Sequence, residues 1–108
     1  MLKDKTLQSL LKELEIEERS DAYALYIYAL RLMVREHKCT CSMIKEIYHP
    51  LSLHFGHTMN YIERTMREAV VRAYNNKRET INILAGAGLS VCPTVSEFLR
   101  ILWKCCKY

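Results

Sequence analysis

The sequence predicts an all-α fold, a compact bundle of about six helices containing a helix-turn-helix. Three observations predict it. Apolar residues recur at i, i+3, i+4 and i+7 along the chain, and no run alternates in the way a half-buried strand would. The three glycines and two prolines fall at the boundaries of these periodic segments. The length of 108 residues suits one domain with a single modest core, with half of the residues apolar and 26% charged.

The elements follow in order. Leu7, Leu10, Leu11 and Leu14 form one stripe of an amphipathic first helix. The pattern breaks over residues 15–20, where Ser20 or Asp21 can cap a second helix over about 22–37. That helix is apolar on most sides (Leu25, Tyr26, Ala29, Leu30, Leu32, Met33) and belongs at the centre of the core, with His37 and Lys38 suiting its negative C-terminal dipole. A short third helix is expected over about 42–48. Pro50 fits the first turn of a brief fourth, because its missing N–H has no helical partner there. Gly56 ends that helix as a left-handed cap, and Thr58 caps a fifth over about 59–75. A further segment over about 78–84 stops at "AGAG". The last helix opens at "PTVSEF", where Thr94 and Glu97 have capping-box spacing.

Charge and composition narrow the function classes. The net charge of +4 permits an anionic partner without requiring one, but its distribution is uneven. Residues 54–78 hold five bases (Arg64, Arg67, Arg72, Lys77, Arg78) against two acids (Glu63, Glu68), whereas residues 1–20 are nearly balanced. The uncharged run over 22–30 is far below the ~20 residues that span a bilayer. The charged start lacks a signal-peptide pattern, and five cysteines is an odd count for a secreted disulfide scaffold, so a cytoplasmic location with reduced thiols is expected and no membrane partner. Cys39, Cys41, His49, His54 and His57 raise the question of zinc, but C-x-C is tighter than a structural zinc pair requires. Cys105 and Cys106 read as an apolar helix edge rather than a redox pair. Nothing resembles a nucleophile–base set, a carboxylate pair or a phosphate loop, so neither an enzyme nor a metal or other cofactor is expected.

The informative stretch is "HFGHTMNYIERTMREAVVRAY", residues 54–74. A connection of about three residues around Gly56 joins two helices in the manner of a helix-turn-helix. At ~100° per residue, Ile62, Met66, Ala69, Val70 and Ala73 gather on one side of the fifth helix. Asn60, Glu63, Arg64 and Arg67 gather on the other, near its N-terminus. These are residue types that read bases in a major groove: arginine bonds guanine O6 and N7, and a carboxylate accepts from cytosine N4. Thr58, the first-turn amides, and Arg72, Lys77 or Arg78 are the candidates for phosphate contact. Spacing alone leaves a second reading open, in which Glu63–Arg67 is an i,i+4 ion pair on a solvated face.

A resemblance adds to this. "NYIERTMREAVVRAY" resembles the recognition helix of the C-terminal effector domain of the stage 0 sporulation protein A family, the response regulator that starts endospore formation. The shared core is V/I-E-R-x-I/M-R, here residues 62–67, followed by an A-aliphatic-x-x-A-aromatic tail, here 69–74. "PTVSEF" at 93–98 is similar to the family's P-T-N-S-E-F, and "KEIYHP" to the segment before its helix-turn-helix. The resemblance implies a six-helix domain without the family's receiver. It implies binding to double-stranded DNA at tandem short boxes containing cytosine and guanine, with Glu63, Arg64 and Arg67 facing the groove and Arg64 reading guanine. Contact with RNA polymerase and a dimer formed on DNA are implied as well. The chain departs from the family where two lysines usually precede the turn (here Leu53 and His54), at Glu68, and in a helix-four proline one residue later. Those departures support an alternative function: a protein-interaction module, partner or competitor of a full-length regulator or polymerase, with little DNA affinity.

Overall fold

The computed structural model describes residues 4–35 and 42–106, and every regular element among them is helical. Six α-helices occur: α1 (Asp4–Glu13), α2 (Asp21–Arg35), α3 (His49–Phe55), α4 (Met59–Asn76), α5 (Arg78–Ala85) and α6 (Val95–Cys106). A π-helical turn, Ile44–Tyr48, runs without interruption into α3. The separate helices expected over 42–48 and from Pro50 are therefore one rod. Met43 and Tyr48 both hold right-handed helical angles, and the His49 amide reaches back five residues to the Ile44 carbonyl. In a regular helix the Pro50 ring would press on the carbonyl four residues earlier and leave it without a donor. Widening the turn just before Pro50 lets the chain continue instead of stopping. His37, Lys38, Cys39 and Cys41 lie outside the described residues.

The core is a layer of helices around α2, which buries Ala22, Leu25, Tyr26, Ala29, Leu30, Leu32 and Met33. It packs on α3, α4 and α6, while α1 lies against α6 and α4 also touches α5 and the π-helical turn. Tyr26 is fully buried and fixes this arrangement. Its hydroxyl donates to the Met66 carbonyl in the middle of α4 at 2.8 Å, and its ring meets Phe98 of α6 edge-on, with centroids 5.4 Å apart. A helical carbonyl has two lone pairs, so Met66 accepts this bond beside its own ladder bond. No buried side-chain nitrogen or oxygen among the described residues lacks a partner.

The ends of the helices show why the chain turns where it does. Ser20, rather than Asp21, caps α2, accepting from the Tyr23 amide at 3.2 Å. Thr94 and Glu97 form the reciprocal capping box at α6, with bonds of 2.8 and 3.1 Å. Gly86 ends α5 in the left-handed region, and the Ala87 amide closes on the Asn82 carbonyl in a Schellman motif. The same motif ends α1, but there the left-handed residue is Glu15, at φ 63°. Its amide bonds the Lys12 carbonyl and the Ile16 amide bonds that of Leu11, while Leu11 and Ile16 are both buried. The Glu15 carboxylate reaches Asn76 at 3.2 Å and Lys77 at 4.0 Å beyond the end of α4.

Two stability measurements check this. Tyr26→Phe should lower the urea-unfolding free energy by about 1 kcal/mol, the usual net worth of a hydrogen bond, without changing the fold. Glu15→Gly should raise it by about 0.5–1 kcal/mol, because relief of the left-handed strain outweighs two exposed polar contacts.

Candidate nucleic-acid interface

The approach to α4 is fixed by three residues of turn. Gly56 closes α3 at φ 71°, its amide bonding the Ser52 carbonyl at 3.0 Å. The Ser52 hydroxyl donates across the turn to the His57 carbonyl at 2.6 Å. Thr58 then takes an extended conformation, and its side-chain oxygen accepts from the Tyr61 amide at 3.1 Å. This is the expected N-cap, and it uses the threonine's acceptor while leaving its hydroxyl proton to donate elsewhere.

From that cap α4 divides as its periodicity predicts. Ile62, Met66, Ala69, Val70, Ala73 and Tyr74 are buried. Asn60, Arg64 and Arg67 are exposed and Glu63 is partly so. Thr58, Asn60, Tyr61, Glu63, Arg64 and Arg67 line one shallow, open depression at the N-terminal end of the helix. The four proposed base readers therefore share a surface.

The ion pair of the competing reading is also present. Arg67 Nε lies 3.6 Å from Glu63 Oε2, with the two side chains 57% and 39% exposed. Such a pair contributes a few tenths of a kcal/mol, about 0.2–0.5, against roughly 1–3 for a good bidentate base contact. The pair orders the two side chains and is too weak to withhold them from a ligand. Beneath them lies Tyr48, buried, its hydroxyl pushed up to about 12 by that burial and then by the nearby Glu63 carboxylate.

The proposed phosphate contacts do not all join this surface. Thr58 does. Arg72 is exposed and borders a second depression with Arg67, Glu68, Val71, Asn75 and Asn76. Lys77 is engaged by Glu15, and the Arg78 guanidinium sits 4.6 Å from the Tyr74 ring centroid. At 1.5 Å per residue Lys77, just past the end of α4, lies about 28 Å from Thr58, and Arg78 opens α5 beside it. They form a separate group at the far end of the helix.

Tyr61 belongs to the depression although its position in the pattern gave no sign of it. Its hydroxyl donates to the Asp21 carboxylate at the start of α2, and its ring lies 4.4 Å from the His57 ring. The bond to Asp21 raises the Tyr61 pKa above its ordinary 10.0, while a hydrogen bond with Thr65 opposes the shift. Only the spacing of a tyrosine within the first turn could have drawn attention to it, since Asp21 is forty residues away.

The histidines have other company than a metal. His54 stacks on Tyr28 at 4.1 Å and meets Phe55 edge-on, while His49 is exposed. Among the described residues no three His, Cys, Asp or Glu side chains come together as a metal site. Burial raises the thiol pKa of Cys92 and of Cys105, and the latter donates to the Leu84 carbonyl at 3.6 Å. No helix among the described residues is long and apolar enough to cross a membrane.

A family model, sporulation initiation factor Spo0A C terminal, matches residues 7–105. The chain belongs to the Spo0A C-terminal family. No curated protein and no solved structure gives a match. Before the turn the chain presents Leu53, 72% exposed, and the stacked His54.

The buried tyrosines make a pH prediction. Tyr26 and Tyr48 both carry raised pKa values in the fold, mainly through burial. Between pH 10 and about 12 the unfolded chain gives up protons that the folded chain retains, so their contribution is complete below pH 10 and fades above it. Circular dichroism across an alkaline titration should show stability falling over that window, and Tyr48→Phe should make the fall shallower.

Proposed function

We propose that this chain is a sequence-specific DNA-binding transcription regulator that places the N-terminal half of α4 in the major groove. The observation that supports it most directly is the shared exposed surface of Asn60, Glu63, Arg64 and Arg67, set on a helix whose opposite face is buried. Membership of the Spo0A C-terminal family supports it further. In this reading Arg64 bonds guanine O6 and N7, Glu63 accepts from cytosine N4, and Arg67 and Asn60 contact neighbouring bases. Thr58 and the free amides of the first turn meet a phosphate, where the positive end of the helix dipole favours it. Arg72, Lys77 and Arg78 serve a phosphate more distant along the helix. The target is double-stranded DNA carrying tandem short boxes, so two copies sit side by side on one duplex.

A second reading is supported by the exposed Ile44 and Leu53 on the rod that precedes α4. An apolar surface there, in place of lysine, suits a protein-interaction module that contacts a full-length regulator or RNA polymerase with little affinity for DNA.

Fluorescence anisotropy separates the two. A duplex with two tandem family-type boxes and a scrambled duplex are each titrated at about 50 and about 200 mM salt, a range over which purely phosphate-based binding weakens steeply. Cognate preference that persists at the higher salt is the expected result. Arg64→Ala should then cost about 1–3 kcal/mol on the cognate duplex and relax preference at one base pair. Equal, weak, salt-sensitive binding to both duplexes would favour the protein-interaction module.

A further inference from the structure

At the first turn of α4, side chains from two helices meet around Tyr61. The phenol donates to Asp21, the first residue of α2. The His57 ring lies against the phenol ring, at 4.4 Å and an interplanar angle of 37°. The Arg64 guanidinium carbon lies 5.9 Å from the ring centroid, within reach of the attraction between a cation and an aromatic face. Arg64 is exposed, so without a neighbour of this kind its long side chain would sample many rotamers and lose that freedom on binding.

A ring orders a neighbouring guanidinium only if the ring itself is held. Tyr61 is fixed at one end by the backbone of α4, whose first turn Thr58 caps. It is fixed at the other by a carboxylate on α2, the helix that Tyr26 already bonds to the middle of α4. The phenol is protonated at neutral pH and donates there, and the bond to Asp21 raises its pKa further. Asp21 sits in the first turn of α2, where an acid suits the positive end of the helix dipole, but its charge beside the proposed DNA surface should weaken binding there.

We propose that Tyr61, anchored by Asp21, is a positioning residue that holds Arg64 in its base-reading orientation, so that it governs the specificity of the surface more than its general affinity for DNA. This rests on the DNA-binding reading above. The two roles of Asp21 then oppose each other. Its removal frees Arg64 and also removes a repulsive charge, so cognate preference falls while binding to scrambled DNA holds or rises.

The test uses the full chain with Tyr61→Phe, Tyr61→Leu, Asp21→Ala and Asp21→Asn, after thermal melts show each variant folded. The first readout needs no DNA: the heteronuclear NOE of the Arg64 Nε–Hε group. It should drop in Tyr61→Leu and Asp21→Ala and be retained in Asp21→Asn, whose side-chain carbonyl still accepts. The second is the ratio of affinities for the tandem-box and scrambled duplexes. It should fall about threefold to tenfold in Tyr61→Phe and Asp21→Ala, a partial loss of one base contact. The third is a double-mutant cycle, in which Tyr61→Phe should have little further effect once Arg64 is alanine. An unchanged Arg64 NOE in Tyr61→Leu overturns the proposal, as does a Tyr61→Phe loss that is equal with and without Arg64. A wild-type chain without cognate preference would overturn the DNA-binding reading instead, and the NOE would still decide whether Tyr61 orders Arg64.

Discussion

One buried hydrogen bond gives the packing around α4 its direction. α4 leaves one polar face in solvent, so only its opposite face and its backbone are available to hold it. Here the apolar face contributes packing through Ile62, Met66, Ala69, Val70 and Ala73, and the Tyr26 hydroxyl adds a directional bond to the Met66 carbonyl. Packing alone allows a helix to slide or rotate slightly among similar arrangements of side chains. A donor aimed at one carbonyl, deep in a core where an unmet hydroxyl is costly, selects one register. The edge-on contact with Phe98 carries that constraint into α6, so three helices share a single reference point.

The approach to α4 is held as firmly as its middle. Gly56 supplies the left-handed turn, Ser52 closes it on the His57 carbonyl, and Thr58 caps the new helix. A surface that binds a partner gains from such fixed geometry, because each side chain that is already ordered loses less entropy on binding. The Glu63–Arg67 pair and the Tyr61 ring beside Arg64 act in the same direction at the surface. Both are weak enough to yield to a better partner.

The rod before the turn shows how tertiary context overrides a local signal. Pro50 is good evidence for a helix start, and the sequence around it supports a break as readily as a continuation. The fold keeps the helix going because Ile47, Tyr48 and Leu51 all reach the core from a continuous rod. The π-helical turn absorbs the proline. Glu15 is the converse case, a residue with no preference for the left-handed region that adopts it because Leu11 and Ile16 are both buried on either side.

The sequence by itself determined the helical class, the ends of most helices and the two faces of α4, because those follow from periodicity and from caps formed within a few residues. Thr58, Gly56 and the Thr94–Glu97 box were legible for that reason, and so was the grouping of Asn60, Glu63, Arg64 and Arg67. Only the tertiary structure decided the contacts made across long separations. Tyr26 meets Met66 and Tyr61 meets Asp21 each across forty residues, and Lys77 is drawn to Glu15 across the fold. A tyrosine has the same helical spacing whether its hydroxyl finds a carbonyl, a carboxylate or water, so which partner it takes depends on where the helices come to rest.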